Sequence, residues 1–549
     1  MPPPASTAPR SLAARLAATP SWLLWLLLFA AVALSHLTLL RLPYYWDEGG
    51  YYIPAALDFY RHGWLIPQFT NAHPPLPNIL LGTLWHIVGY HILATRLLVC
   101  AVAAAGLLAI FRLAQHLLDN SAALALTLLT AVYPIWFAQS TLAQADIFAA
   151  AFTLLGFALY LPATRTSSIS AILATHHQHK HREKFDVAVL FSLAALSKET
   201  AIIEPAALLI LELSRLFRDR RSPVLRRNHL GWIAAFATPF LPLIAWYAYH
   251  HAITGFTFGN PVYLKYNATA NFTVGHILLA LRYRFIHLFW QRNIWLPILL
   301  AFACLLLPQR PRSEVRPLTI ATRTTCIVLI VANWIAFSIL GGALLTRYLL
   351  PVYPLILLLC VDTWRERTRY LLWFTLATAA IFLSGLWISP PTAFAPEDTL
   401  VYRDMIVVHQ EAIAFVNQHY PGATVLTAWP VSSDLFNPDL GYTAHRTPVF
   451  SIEDFTLPEI EKAAQQPWNF DTAIVFTTHY IAPSLRHFLL SHPDRLRDHN
   501  YGQHDLTPAE IAAILHGRIV WQGSRDGEWA AVLRFDRSYE ARLIRPFAR

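Results

Sequence analysis

Tyr44-Tyr45-Trp46-Asp47-Glu48-Gly49-Gly50-Tyr51-Tyr52 follows directly on an apolar run from Trp22 to Leu42. That run is about as long as the 20 residues a helix needs to cross the hydrocarbon core of a bilayer. Two adjacent carboxylates, Asp47 and Glu48, therefore stand where a membrane span ends and a loop begins. An ionisable pair at that depth loses hydration unless something holds it, which makes the doublet a functional-site candidate. The alternative is that Asp47 and Glu48 only cap the next helix, with Gly49-Gly50 as a turn.

The composition carries the membrane reading to the whole chain. Of 549 residues, 55% are hydrophobic and only 14% charged, against roughly a quarter charged in a soluble domain. The formal net charge of +9 does not signal nucleic acid, because Arg and Lys sit in short loops between apolar runs, as the positive-inside rule expects. Cys100, Cys304, Cys326 and Cys360 all lie inside apolar runs and read as small hydrophobes rather than a disulfide framework. Met1 to Thr19, with Arg10 and Arg15, resembles the basic start of a signal peptide, but the run that follows is too long. It reads as an uncleaved anchor.

Apolar runs near 21–42, 92–118, 121–141, 147–163, 185–198, 200–217, 230–250, 293–308, 324–344, 347–363 and 370–388 predict about eleven spans. Arginines and lysines gather in four loops: Arg165 to Lys184, Arg215 to Arg227, Arg310 to Arg323, and Arg365 to Arg369. With the spans counted this way, all four share the side of the N-terminus, which is then cytoplasmic. The outer side receives the loop 43–91, a loop around 251–292, and everything after Ser389. In the first outer loop, Pro54 to Tyr60 and Asn78 to Val88 predict helices lying along the interface, joined by a turn stiffened by Pro74, Pro75 and Pro77.

The domains expected are a tail (1–20), a membrane domain (21–389), and a small outer α/β domain (390–549). In the last, Asp404 to His419 predicts an amphipathic helix. Thr424 to Trp429, Pro448 to Ile452 and Thr472 to Phe476 predict strands, and a terminal hairpin is read with Gly523 to Gly527 between its strands. The outer domain shows no catalytic motif.

Three further polar clusters stand near membrane ends. Asp146, in Gln144-Ala145-Asp146, is level with the first doublet, or alternatively an N-cap of the helix from Ile147. Lys198, in Ser197-Lys198-Glu199-Thr200, interrupts an apolar hairpin and requires an anion, either a ligand or an internal partner such as Glu199 or Asp146. Arg347, in Thr346-Arg347-Tyr348-Leu349-Leu350-Pro351, offers a planar guanidinium suited to phosphate, or else snorkels to the headgroups. Carboxylates beside cations on one face suit a hydroxyl nucleophile and a phosphate leaving group. The tract His176-His177-Gln178-His179-Lys180-His181 reads as a solvated loop. The sequons at Asn267 and Asn271 matter only in a eukaryotic secretory pathway.

Asp47-Glu48, His73-Pro74-Pro75-Leu76, Gln144-Ala145-Asp146, Lys198-Glu199 and Arg347-Tyr348-Leu349-Leu350-Pro351 occur in one order. Over residues 20–390 that set resembles the GT-C superfamily of polyprenyl-phosphate-sugar-dependent glycosyltransferases, in particular the bacterial protein-O-mannosyltransferase and lipid A aminoarabinose transferase branches. The resemblance implies a GT-C-like polytopic α-helical membrane protein with an outward-opening cavity. It also implies a polyprenyl-phosphate sugar donor, with an outer-face lipid, glycan or protein as acceptor.

In that reading Asp47 is the base or acceptor-orienting acid, Glu48 its companion, and Asp146 shapes the acceptor site. Lys198, Arg347 and Tyr348 hold the donor phosphate. The Glu-Lys that some relatives carry before Pro-Pro is replaced by Ala72-His73, which puts a metal site built on that Glu in question. His73 could instead serve as ligand or phosphate partner, and Asp47, Glu48, Asp146 and His73 are the groups that could ligate a divalent ion. The location implied is a bacterial inner membrane, N-terminus cytoplasmic and C-terminal domain periplasmic. A transporter or flippase of lipid-linked sugars is the competing function; the lack of an internal repeat between the halves of the chain counts against it.

Overall fold

A computed structural model describes residues 12–66, 73–163, 177–261, 264, 272–311, 313–340, 344–388, 394–478, 480–483, 485, 487, 491 and 505–535, with the side chains of 177–181 left out. The sequons at Asn267 and Asn271, together with Asn71, Ala72, Arg165, His176 and Arg312, lie outside the described residues, as do the side chains of the histidine tract from His177 to His181. The chain forms two compact units. One comprises Met1–Leu37, Ala55–Tyr90 and Ala94–Gly385; the other comprises Thr38–Pro54, His91–Leu93 and Leu386–Arg549.

The first unit is helical. Ile92–Leu117, Ala145–Ala163, Pro223–Thr254 and Ile320–Leu340 are long and apolar enough to cross a membrane, and Ser21–Ser35, Leu76–Val88, Asn120–Val132, Trp295–Leu305 and Leu371–Ser384 are shorter apolar helices. Helix ends follow local chemistry. Asp119 accepts a hydrogen bond from Ala122 N at 2.8 Å to start Asn120–Val132, and Ser222 precedes Pro223 at the start of Pro223–Ala237. The two helices predicted in the first loop are present as Ile53–His62 and Leu76–Val88. The stretch 251–292, expected as a plain outer loop, carries the helix Val274–Phe289. Its apolar side chains Val274, Leu278 and Phe285 are exposed, and its buried stripe of Ala280, Arg284, His287 and Leu288 is half polar, a pattern that a search for apolar runs passes over.

Two features fix the helices that matter below. Helices Ala145–Ala163 and His177–Ser197 approach closely where Gly156 meets Phe191; a Cβ there would lie 3.0 Å from the ring. Toward the far end of the same pair, Tyr160 donates to Glu212 at 2.7 Å, Arg215 pairs with Glu212 at 2.6 Å, and His229 Nδ1 reaches Glu212 at 2.7 Å. This buried polar network ties Ala145–Ala163 to Ile203–Arg218 and Pro223–Ala237.

The second unit holds a five-stranded sheet: β1 (Val425–Ala428), β2 (Val449–Ile452), β3 (Thr472–Phe476), β4 (Gly517–Arg525) and β5 (Glu528–Phe535), in the order β2-β1-β3-β5-β4. β1 runs parallel to β2 and β3, whereas β5 is antiparallel to both β3 and β4. Helix Val401–His419 buries Val408, Ala412, Ile413 and Val416 in a core shared with β1, β3 and β5. The terminal hairpin differs from expectation in its turn. β4 continues through Gly523 to Arg525, and only Asp526-Gly527, with φ of 42° and 91°, connects the strands. An Asp-Gly pair is the residue choice that a two-residue turn with positive φ favours.

Glu528 opens β5 with its side chain buried. Burial, and then the negative charges of Asp404 and Asp526, push its carboxyl up to about 8 from an ordinary 4.5. The folded domain therefore keeps a proton that the unfolded chain releases, and this contribution to stability is complete at low pH and fades as pH rises through that window. Thermal unfolding of the full-length protein in detergent should show a midpoint that declines between about pH 5 and 8, and Glu528→Gln should flatten that decline. Equal slopes in the two proteins would remove Glu528 as its source.

Candidate active site

Each charged residue of the helical unit's candidate site sits at a break in a helix. Helix His177–Ser197 stops because Lys198 adopts extended backbone, φ −151° and ψ 130°, before the short 3-10 turn Glu199–Ile202. Asp146 lies in the first turn of Ala145–Ala163, so it is a helix residue and not the N-cap. Arg347 lies in another 3-10 turn, Thr346–Leu349, ahead of the helix Tyr353–Arg367. A carboxylate in a first turn and an ammonium just past a last turn are both favoured by the helix dipoles.

These three residues meet. Lys198 Nζ donates to Asp146 Oδ1 at 2.6 Å, with both side chains almost wholly buried. Arg347 Nε stands 3.3 Å from Asp146 Oδ2, an electrostatic contact without an aligned hydrogen bond. Of the two internal partners open to Lys198 from sequence, the structure selects Asp146. Snorkelling by Arg347 does not occur, since the residue is 3% exposed. The Tyr348 ring lies under Lys198, with Nζ 3.9 Å from its centroid, a cation–π contact. Asp146, Thr153, Lys198, Glu204, Arg347 and Tyr348 help line a cavity of about 20 Å³, room for a water-sized group.

His73 is engaged by the residue that follows Lys198, its Nδ1 2.9 Å from Glu199 Oε2. It thus has a carboxylate partner of its own. Among the described residues no three His, Cys, Asp or Glu side chains gather as a metal-ligand set.

Two residues escaped the sequence reading. Glu204, buried in the first turn of Ile203–Arg218, has an Oε2 without a hydrogen-bond partner and lines the cavity. An acid inside an apolar run is the signal that could have found it. Arg284, also buried, donates to Leu345 O at 2.5 Å and stacks its guanidinium 5.6 Å from the Tyr348 centroid. It comes from the helix that the sequence reading left as loop.

The acidic doublet belongs to the second unit. Trp46 has φ 42°, a left-handed backbone that costs a bulky residue on the order of 1–3 kcal/mol. Asp47 then leads into a π-helical turn, Glu48–Tyr52, a rare form found often at functional sites. The Asp47 side chain makes no capping hydrogen bond. Glu48 does brace the turn: its Oε2 accepts from Tyr45 N at 2.9 Å and the residue is fully buried. Capping therefore describes part of what Glu48 does and not Asp47. The Tyr51 hydroxyl is held above its ordinary pKa by burial and then by the negative charge of Asp47.

The Lys198–Asp146–Arg347 cluster gives a direct stability expectation. Asp146→Asn leaves two buried cations without the anion between them and should destabilise by about 3–5 kcal/mol, read as a lower unfolding midpoint in detergent. An unchanged midpoint would show that the cluster is hydrated rather than buried.

No curated protein sequence matches the chain. Among solved structures, ArnT from Cupriavidus metallidurans bound to undecaprenyl phosphate has a TM-score of 0.53 at 14% identity, covering 92% of this chain and 98% of that one. The Archaeoglobus fulgidus oligosaccharyltransferase in complex with zinc and sulfate has a TM-score of 0.45 at 10% identity, over 82% and 68% of the two chains. The S. cerevisiae protein O-mannosyltransferase Pmt1-Pmt2 complex bound to the sugar donor has a TM-score of 0.34 at 15% identity, over 44% and 35%. The first likeness establishes a shared fold; the other two are too distant to carry argument.

Residues 18–451 match the Alg9-like mannosyltransferase family, which resolves the choice between transport and transfer in favour of transfer. The chain belongs to that family and is an integral-membrane glycosyltransferase of the GT-C fold.

Proposed function

We propose that the protein moves one sugar from a polyprenyl monophosphate to a hydroxyl or phosphate on an outer-face lipid, glycan or protein. The observation that carries this reading is the convergence of Lys198 and Arg347 on one carboxylate, Asp146, inside the membrane unit. Two cations held that close repel one another unless an anion lies between them. Asp146 fills that role, and a donor phosphate is chemically suited to share or replace it. The ArnT structure that shares the fold was determined with undecaprenyl phosphate, which supports a lipid-phosphate donor here.

In the transfer, the bond between the anomeric carbon and the phosphate oxygen breaks, and its electron pair stays on the phosphate. Lys198 and Arg347 stabilise that developing charge. The acceptor oxygen forms the new bond to the anomeric carbon; where the acceptor is a hydroxyl, Asp47 takes its proton. Glu48 holds the turn that presents Asp47, Asp146 shapes the acceptor side, and Tyr348 supports Lys198. His73, paired with Glu199, borders the donor phosphate. The arginine-rich loops support an N-terminus in the cytoplasm and a C-terminal domain on the outer side, and the location this reading takes is a bacterial inner membrane.

Asp47→Asn should lower transfer of a labelled polyprenyl-phosphate sugar in detergent by roughly 10²–10⁴-fold, with membrane insertion and thermal midpoint unchanged. Near-normal transfer would remove Asp47 from the chemistry. Arg347→Ala should weaken apparent affinity for the lipid donor by at least about tenfold, with Arg347→Lys intermediate because it keeps the charge and loses the planar fork. An unaltered donor affinity in Arg347→Ala would exclude the phosphate role.

A further inference from the structure

The doublet's turn is held by more than its own sequence. Within the second unit, the indole of Trp46 meets that of Trp429 edge-on, ring centroids 4.6 Å apart at 71°. The same Trp429 covers Gly50 so closely that a Cβ on Gly50 would lie 2.9 Å from its ring. Gly50 N donates to Trp46 O at 2.8 Å, so both contacts act on one small loop. On its other side Tyr44 N donates to Leu440 O at 3.1 Å, and the Tyr442 hydroxyl donates to Tyr44 O at 3.1 Å. Leu440 also reaches within 3.4 Å of where a Gly49 Cβ would stand.

We propose that Trp429, assisted by Leu440 and Tyr442, is the positioning element that aims the Asp47 carboxylate, so that the C-terminal domain governs the rate of transfer without touching substrate. This rests on the reading of Asp47 given above. A left-handed Trp46 persists only where its surroundings hold it. Trp429 is the side chain that touches both Trp46 and Gly50, on either side of Asp47. Relaxing φ at Trp46 would swing the next residue, which is Asp47 itself. A displacement of about 1 Å at a reacting group can cost on the order of 10²-fold in rate. The absence of a side chain at Gly50 is what lets the indole come near enough to hold the loop.

The test is amide hydrogen exchange and steady-state kinetics on the full-length protein in detergent. Trp429→Ala should speed exchange across residues 44–53 and leave β1 and β3 unchanged. It should also lower kcat by about 10²-fold, with the donor KM within about twofold of the original. Trp429→Phe, which keeps an aromatic edge, should recover most of both. Gly50→Ala, pushing on the same indole from the opposite side, should reproduce the alanine phenotype. A preserved kcat in Trp429→Ala would overturn the inference, and so would exchange rising equally in β1 and β3, which would mark a folding defect. Full transfer by Asp47→Asn would overturn the reading of Asp47 and this inference with it, and is told apart because it involves no change at Trp429.

Discussion

The short contact between Lys198 and Asp146 is the constraint on which the membrane unit's site depends. It joins the last residue after one helix to the first turn of its neighbour, and both charges lie where the helix dipoles favour them. The close packing of Gly156 against Phe191 holds the two helices near enough for the pair to form. The Glu212 network anchors the other end of Ala145–Ala163, so the ion pair sits on a helix fixed at both ends. Buried charges are expensive, and well-packed apolar side chains of similar volume often give equal or greater stability. Their retention at a helix break, beside a second cation and an aromatic ring, is what a binding function explains.

The second unit solves a different problem by a different means. Asp47 is presented on a strained residue followed by a π-helical turn, which Glu48 braces locally through Tyr45 N. Long-range contacts add to that hold. Tyr45 packs its ring 5.6 Å from Tyr402, Tyr44 bonds to Leu440 and Tyr442, and Trp46 meets Trp429. Each unit thus holds its own charged group by its own contacts, the cations of the first by a buried carboxylate and the carboxylate of the second by an aromatic and backbone frame.

Much of the fold was legible because it depends on one-dimensional patterns. Apolar run length found the principal helices, and a short apolar run found β3 to the residue. Charges in apolar surroundings were legible too, which is why Asp146, Lys198 and Arg347 stood out. Their pairing was not. Whether Lys198 turns to Glu199 or to Asp146 depends on where the helix stops and how the next turn winds, a matter of three-dimensional register. Glu204 hid inside a run whose length was already accounted for, and Arg284 hid in a helix whose buried stripe is half polar. Trp429 carried no signal at all: its partners are nearly 400 positions away in the chain, and no local pattern encodes such a contact.

The cavity adds a physical consequence to the buried pair. Its lining sets Asp146, Lys198 and Arg347 around a space that admits a water-sized group. Removing Asp146 from Lys198 there without a substitute would leave a buried ammonium uncompensated, which is strongly unfavourable. Any anion that took up Lys198 would therefore have to make good the contact with Asp146 that it displaced, so the strength of the pair sets a threshold for binding at this position.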